Sequence, residues 1–161
     1  MSDTLTAFDP DESDALAKAA ARDTSTYFHL RAYDLMTNEP KGWLGCTHGA
    51  AANYLRLYDD KDAASFVKYV NDGDLKYLAR DTTPNDRYLG LATNSYAGWG
   101  LKGGWRNPIK LHANGSISLD PYEDASFKDR YLYLYGASVY SDYLCWSEDA
   151  NNSNILSFRQ E

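Results

Sequence analysis

The stretch that decides the fold is FVKYVNDGDLKYL, residues 66–78, in which two short apolar segments flank a turn. The turn is Asn71-Asp72-Gly73, and such residues tolerate the positive φ angles that a tight hairpin needs. A second turn of this kind, Asn114-Gly115, follows the apolar segment 109–112. The sequence therefore predicts antiparallel hairpins at both places, and short strands between turn residues favour an all-β domain.

Similar segments follow one another three times between Tyr27 and Glu161. Each contains a second strand with an aromatic residue, and these residues are Trp43, Tyr88 and Tyr131, spaced 45 and 43 positions apart. Each also ends in an apolar fourth strand, at residues 66–70, 109–112 and 155–158. The spacing predicts three four-stranded repeats, at 27–73, 74–115 and 116–161.

The predicted core takes one apolar residue from each strand of each repeat, because a single repeat is too small to bury its own apolar face. These residues are Leu30, Leu44, Leu57 and Val67; Leu78, Leu89, Leu101 and Ile109; Leu119, Leu132, Trp146 and Ile155. Trp99 alternates with Leu101, and we expect it to be at least partly buried.

Three repeats of four strands, each about 42 to 47 residues long, resemble a β-trefoil. The resemblance implies that six strands close a short barrel and that six form hairpins capping one end. A β-sandwich is the alternative. The sequence departs from the ricin-B type of trefoil, which has Gln-x-Trp in each repeat, because Gln160 is the single glutamine and no tryptophan is near it.

Residues 1–26 differ from the rest of the chain. They contain six acidic and two basic residues, and so hold four of the seven net negative charges. Residues 11–22 have acids first, then alanines and bases, which favours a short helix. We expect an acidic, partly helical arm outside a trefoil domain at 27–161. A role of this arm in binding or assembly is one alternative for the function.

The composition limits the class of protein and its partners. With 161 residues, 43% hydrophobic and 24% charged, the chain has the make-up of one soluble globular domain. A net charge of −7 disfavours nucleic acid and anionic membranes. Residues 1–6 have neither a basic nor an apolar region, so we expect no signal sequence, and the chain has no apolar run of about 20 residues. We expect a cytoplasmic protein, or one released by an unconventional route, that does not insert into membranes and keeps Cys46 and Cys145 reduced.

The residues do not form a known catalytic or metal-binding motif. The histidines, His29, His48 and His112, lack the spacing of metal ligands. Paired carboxylates such as Asp59-Asp60 fall in hairpin turns, where acids are ordinarily solvated. The sequence therefore predicts no enzyme, no metal and no cofactor.

Binding is the remaining class of function, and the aromatic residues indicate where. The chain has 14 Tyr and 4 Trp against 5 Phe, and aromatics with a polar tip suit recognition surfaces. A sugar site needs such a ring together with Asn, Asp or His for the hydroxyls. The candidates are Trp105 and Asn107 in one turn; Asn94 and Tyr96; His48, Asn53 and Asp59, beside Tyr54; and Tyr140, Asp142 and Tyr143. Their recurrence in all three repeats suggests three weak equivalent sites.

β-Trefoils include lectins, protease inhibitors, actin-bundling modules and receptor-binding domains of toxins, so the resemblance implies a binding protein. We expect a lectin-like protein that binds carbohydrate or glycoprotein, with a role in defence or as a toxin. The alternative is a protein-binding trefoil, either a protease inhibitor or a toxin targeting module. An inhibitor would use residues 82–86 or Asn107-Pro108 as its loop. The sequence leaves the sugar and the oligomeric state open.

Overall fold

A computed structural model describes residues 27–47, 53–82, 85–101, 106–122, 124–136 and 141–161. Within these ranges the chain forms strands and three short 3-10 turns, which confirms the predicted all-β class. No helix there is long and apolar enough to span a membrane. The predicted arm, residues 1–26, lies outside the described residues. The strands are β1 (Leu30–Asp34), β2 (Pro40–Cys46), β3 (Leu55–Tyr58), β4 (Val67–Asp72), β5 (Leu75–Arg80), β6 (Arg87–Leu91), β7 (Ala97–Gly100), β8 (Ile109–Leu111), β9 (Ile117–Leu119), β10 (Tyr131–Leu134), β11 (Leu144–Ser147) and β12 (Leu156–Gln160).

Both predicted hairpin turns are confirmed. Strands β4 and β5 pair antiparallel down to Asp72 and Leu75, and Gly73 in their turn has a φ of 61°. Strands β8 and β9 pair antiparallel as well, and Gly115 in their turn has a φ of 92°. Glycine adopts positive φ without a steric penalty, so these turns set the two registers at little cost.

Antiparallel pairing joins the strands into two sheets. One has the order β12-β1-β2-β3, and the other has the order β11-β10-β9-β8-β5-β6-β7 with β4 on β5. Isolated contacts link the sheets at several places, and two of them involve the ends of the chain's strand order. Phe28 forms a bridge with Val67 at the start of β4, and the Phe158 N–H of β12 donates to the Gly115 carbonyl at 2.9 Å. The first and last strands thus pair with each other and with the middle of the chain.

A single apolar cluster lies beneath both sheets. Eleven of the twelve predicted core residues are buried, at 4% exposure or less: Leu30, Leu44, Leu57, Val67, Leu78, Leu89, Ile109, Leu119, Leu132, Trp146 and Ile155. The choice of one inward residue per strand is therefore correct for every predicted strand except β7.

The prediction for Leu101 is wrong, because this side chain is 47% exposed. The register of the second hairpin pairs Leu89 with Trp99, and Trp99 is completely buried. The other two hairpins have the same register, with the pairs Leu44–Leu57 and Leu132–Trp146. Trp99 therefore occupies the inward position that Leu101 was expected to take.

The two buried tryptophans also donate hydrogen bonds between hairpins. The Trp99 indole N–H donates to the Gly45 carbonyl at 3.4 Å, and the Trp146 indole N–H donates to the Gly90 carbonyl at 3.1 Å. The two acceptors lie at equivalent places, since Gly45 directly follows Leu44 and Gly90 directly follows Leu89, the inward leucines of their hairpins. Buried indole N–H groups need such a partner, so these bonds fix how neighbouring hairpins pack.

Candidate functional site

Three tyrosines from distant parts of the chain lie together at the starts of β3, β7 and β11. Their ring centroids are 5.6 Å apart for Tyr54 and Tyr96, 6.3 Å for Tyr54 and Tyr143, and 6.2 Å for Tyr96 and Tyr143. These separations are in the range of favourable aromatic pairs. All three side chains are half-buried. The rings therefore form a surface feature and not part of the core.

Backbone pairing between hairpins causes this convergence. Tyr54 forms a bridge with Gly98, Tyr96 with Cys145, and Tyr143 with Arg56. Each tyrosine thus pairs with a residue two positions beyond the next tyrosine, in a cyclic order. The arrangement brings the same position of each hairpin to one place.

A fourth aromatic residue, Tyr135, extends the group. Its ring centroid is 5.7 Å from that of Tyr96, and its side chain is 37% exposed. Its backbone N–H donates to the Tyr143 carbonyl at 2.8 Å, as Thr47 and Ala92 donate to the other two tyrosine carbonyls. We call Tyr54, Tyr96, Tyr135 and Tyr143 the tyrosine cluster. Tyr135 is not among the residues predicted from the sequence, although its place three residues after Leu132 matches that of Thr47 after Leu44.

Charged residues lie at one side of the cluster. The Arg56 guanidinium is 3.1 Å from the Asp142 carboxylate, and it lies 4.5 Å from the centre of the Tyr58 ring. The Leu57 N–H donates to the Asp142 carbonyl at 2.9 Å. Both side chains are partly exposed, so they can contact a ligand bound on the tyrosines.

The backbone next to two of the tyrosines has an unusual conformation. Asn53, directly before Tyr54, has a φ of 100°, and Ser95, directly before Tyr96, has a φ of 65°. Asn94 also has a positive φ, of 56°. Positive φ at residues other than glycine costs of order 1–3 kcal/mol and is often found at functional sites. The backbone before Tyr54 and Tyr96 is therefore constrained, as it also is at Asn38 and Asp129.

The structure brings together five of the residues predicted from the sequence: Asn53, Asn94, Tyr96, Asp142 and Tyr143. Asp59 is exposed at the far end of β3, roughly 16 Å along the strand from Tyr54. The Asn107 side chain is half-buried, and its carbonyl oxygen accepts from the Leu91 N–H at 2.8 Å. Trp105, His48 and Tyr140 lie outside the described residues.

The three predicted tyrosine positions therefore meet in one place. They do not lie in three separated sites, as their recurrence along the sequence suggested. Asn107 already holds the backbone of β6 through its amide oxygen, so its local environment is that of a structural residue.

Two groups among the described residues that could support catalysis are buried. The His112 Nε2 and Ser118 Oγ atoms are 2.6 Å apart, but Ser118 is only 4% exposed, which prevents a substrate from reaching it. Burial raises the pKa of the Cys145 thiol to about 12, whereas a reactive thiol needs a lowered pKa. Among the described residues, no three His, Cys, Asp or Glu side chains are grouped to hold a metal ion.

The loop proposed for an inhibitor is fixed at its two ends. The Thr82 hydroxyl donates to the Asn85 carbonyl at 2.6 Å. The Asp86 carboxylate accepts from the Tyr27 hydroxyl at 3.0 Å and lies 3.6 Å from the Lys68 ammonium. Residues 83–84 between these ends lie outside the described residues.

Comparison with known proteins does not assign the chain to a family. A scan of protein-family models finds no match, and a search of curated proteins finds no significant match.

Proposed function

We propose that this protein is a non-enzymatic, carbohydrate-binding β-trefoil whose ligand binds on the tyrosine cluster. The convergence of Tyr54, Tyr96 and Tyr143 on one partly exposed surface is the observation that carries the proposal. A tyrosine ring packs against the C–H face of a sugar, and neighbouring carboxylates and amides bind its hydroxyls. A net charge of −7 does not oppose a neutral ligand, unlike a nucleic acid.

The strand pairing supports the trefoil part of the proposal. Ladders join β12 to β1, β4 to β5, β5 to β8 and β8 to β9. The bridge of Phe28 with Val67 and the bond of Phe158 with Gly115 lie where a six-stranded barrel would need its two remaining contacts. The other six strands form the hairpins β2–β3, β6–β7 and β10–β11. Three repeats at 27–73, 74–115 and 116–161 account for both sets.

The cluster is tested with Tyr143→Ala on a glycan array. We expect the variant to lose about tenfold or more in affinity for the glycans that the wild-type protein binds, because a central ring is removed. Tyr122→Ala is the matched control, since Tyr122 is 67% exposed and makes no ring contact with the cluster. Circular dichroism of each variant separates a loss of binding from a loss of fold.

Two results would count against a carbohydrate ligand on this surface. One is a folded wild-type protein that binds no glycan. The other is a Tyr143→Ala variant that keeps wild-type affinity, which would place the sugar elsewhere on the molecule.

A protease inhibitor is the second candidate, because residues 82–86 have fixed ends. Ends that are already held in place need not be ordered on binding, which reduces the entropy that binding costs. Asp86→Ala removes the contacts to Tyr27 and Lys68, and it should weaken inhibition in a panel of proteases. Tyr143→Ala should leave that inhibition unchanged, so the two variants distinguish the two functions.

A further inference from the structure

The tyrosine cluster has three similar sides, and among the described residues at matching positions a charged pair lies at one of them. Arg56 lies at the position that bridges Tyr143, and the residues that bridge the other two tyrosines are Gly98 and Cys145. Asp142 directly precedes Tyr143, and the residues at the matching positions are Asn53 and Ser95. The ion pair of Arg56 with Asp142 is therefore confined to one side among these equivalent positions.

Tyr135 adds a second difference between the sides. The matching positions in the other hairpins are Thr47 and Ala92, which have no ring. Tyr135 contacts Tyr96, while Asp142 lies next to Tyr143 in the chain. Tyr135 and Asp142 thus both come from the third hairpin, and both precede Tyr143 in the chain. A ligand on this surface contacts an aromatic ring at each of the three sides, and at one of these sides it also contacts the ion pair.

We infer that the ion pair of Arg56 with Asp142 selects a single orientation of a neutral, hydroxyl-rich glycan and excludes glycans with carboxylate or sulfate groups. This inference rests on the proposed function. It names the class of sugar and the residues that choose it. It also implies one bound glycan per chain, because the charged side occurs once among the equivalent positions.

The chemistry of the pair favours hydroxyl groups. A sugar hydroxyl can donate to the Asp142 carboxylate while its neighbour accepts from the Arg56 guanidinium, so two adjacent hydroxyls satisfy both charges. An anionic group would be attracted to Arg56 but repelled by Asp142, which lies only 3.1 Å from it. To bind Arg56 directly, the anion would have to displace Asp142.

Asp142→Asn tests this inference, with Glu148→Gln as the matched control. Glu148 is an exposed carboxylate that pairs with Arg130 at 2.8 Å in the same part of the chain, so each variant removes one negative charge and one ion pair. Both variants and the wild-type protein are applied to one array that carries neutral, sialylated and sulfated glycans. Circular dichroism confirms that each is folded.

We expect the wild-type protein and Glu148→Gln to bind neutral glycans only. Asp142→Asn should bind acidic glycans about tenfold more tightly than the wild-type protein does, because Arg56 is released. Arg56→Gln should weaken neutral binding without that gain.

Wild-type binding of acidic glycans as tight as that of neutral ones would overturn the inference, and so would an Asp142→Asn variant with unchanged selectivity. In both cases the tyrosine cluster could still be the sugar site. Absence of any glycan binding by the folded wild-type protein would overturn the proposed function itself, and the inference with it.

Discussion

The apolar core and the tyrosine cluster both take residues from the same three hairpins, but these residues differ in exposure and in the conformation of the backbone beside them. In β3, β7 and β11 the residue three positions after each cluster tyrosine points into the core: Leu57, Trp99 and Trp146. The core side chains are almost completely buried, whereas the tyrosines are half-buried and two of them follow residues with positive φ. The inner positions thus stabilise the fold, and the outer positions of the same strands form the partly exposed surface that we propose for binding.

The largest expected effect separates the two regions by stability. Trp99→Ala should lower the free energy of unfolding by about 3–5 kcal/mol, because it leaves a cavity and removes the indole bond to Gly45. Tyr143→Ala should lower it by only about 1 kcal/mol, as is usual for a partly exposed position. Urea denaturation followed by circular dichroism measures both values. Equal losses would mean that the cluster is part of the core in energetic terms.

Tyr69→Phe should have the next largest effect, and it should raise stability. The Tyr69 ring is fully buried in the core, and its hydroxyl has no hydrogen-bond partner among the described residues. Removing an unsatisfied buried hydroxyl should increase the free energy of unfolding by about 1–3 kcal/mol. Tyr58→Phe is the control and should lower the free energy of unfolding, because the Tyr58 hydroxyl donates to the Cys46 carbonyl at 2.5 Å. A loss of stability in Tyr69→Phe would contradict this description of the core.

Ser95→Gly tests whether strain is connected with binding. Glycine adopts the φ of 65° without a steric penalty, so the variant should gain up to about 1 kcal/mol in stability and lose glycan affinity as Tyr96 becomes less fixed. Asp129→Gly relieves a similar φ of 62° outside the cluster, and it should gain stability with unchanged glycan binding. The same glycan affinity in both variants would show that the strain has no functional role.

The smallest expected effect is a pH dependence at β8. Burial, aided by Lys110, lowers the pKa of His112 below its usual value of 6.5. The unfolded chain therefore binds the proton first, and the stabilising contribution of neutral His112 is present above about pH 6.5 and lost as the pH falls below it. The free energy of unfolding, measured near pH 8 and near pH 5, should fall less on acidification in His112→Gln than in the wild-type protein. Identical losses would rule out His112 as the source.

The sequence alone predicts most of the core, because apolar residues in short strands directly indicate inward positions. The error at Leu101 has a clear origin. The register of β6 with β7 depends on the loop between them. A shift of two residues keeps the same side chains on the inward face of β7, but it places Trp99 and not Leu101 opposite Leu89.

The candidate site was less predictable for a different physical reason. Tyr96, Asp142 and Tyr143 were identified as binding residues, but single bridges between distant hairpins bring them together, and no local pattern encodes those bridges. Tyr135 was missed because its importance depends on its distance from Tyr96 in space. Asn107 has the composition of a binding residue, yet its amide oxygen holds a backbone N–H.

The most direct test of the account asks whether the three tyrosines act as one site. Tyr54→Ala, Tyr96→Ala and Tyr143→Ala are each titrated by calorimetry with one neutral glycan selected on the array for wild-type binding. One shared surface predicts a stoichiometry of one for the wild-type protein and a weaker affinity in all three variants. A wild-type stoichiometry of three, with each variant losing one site at unchanged affinity, would contradict it.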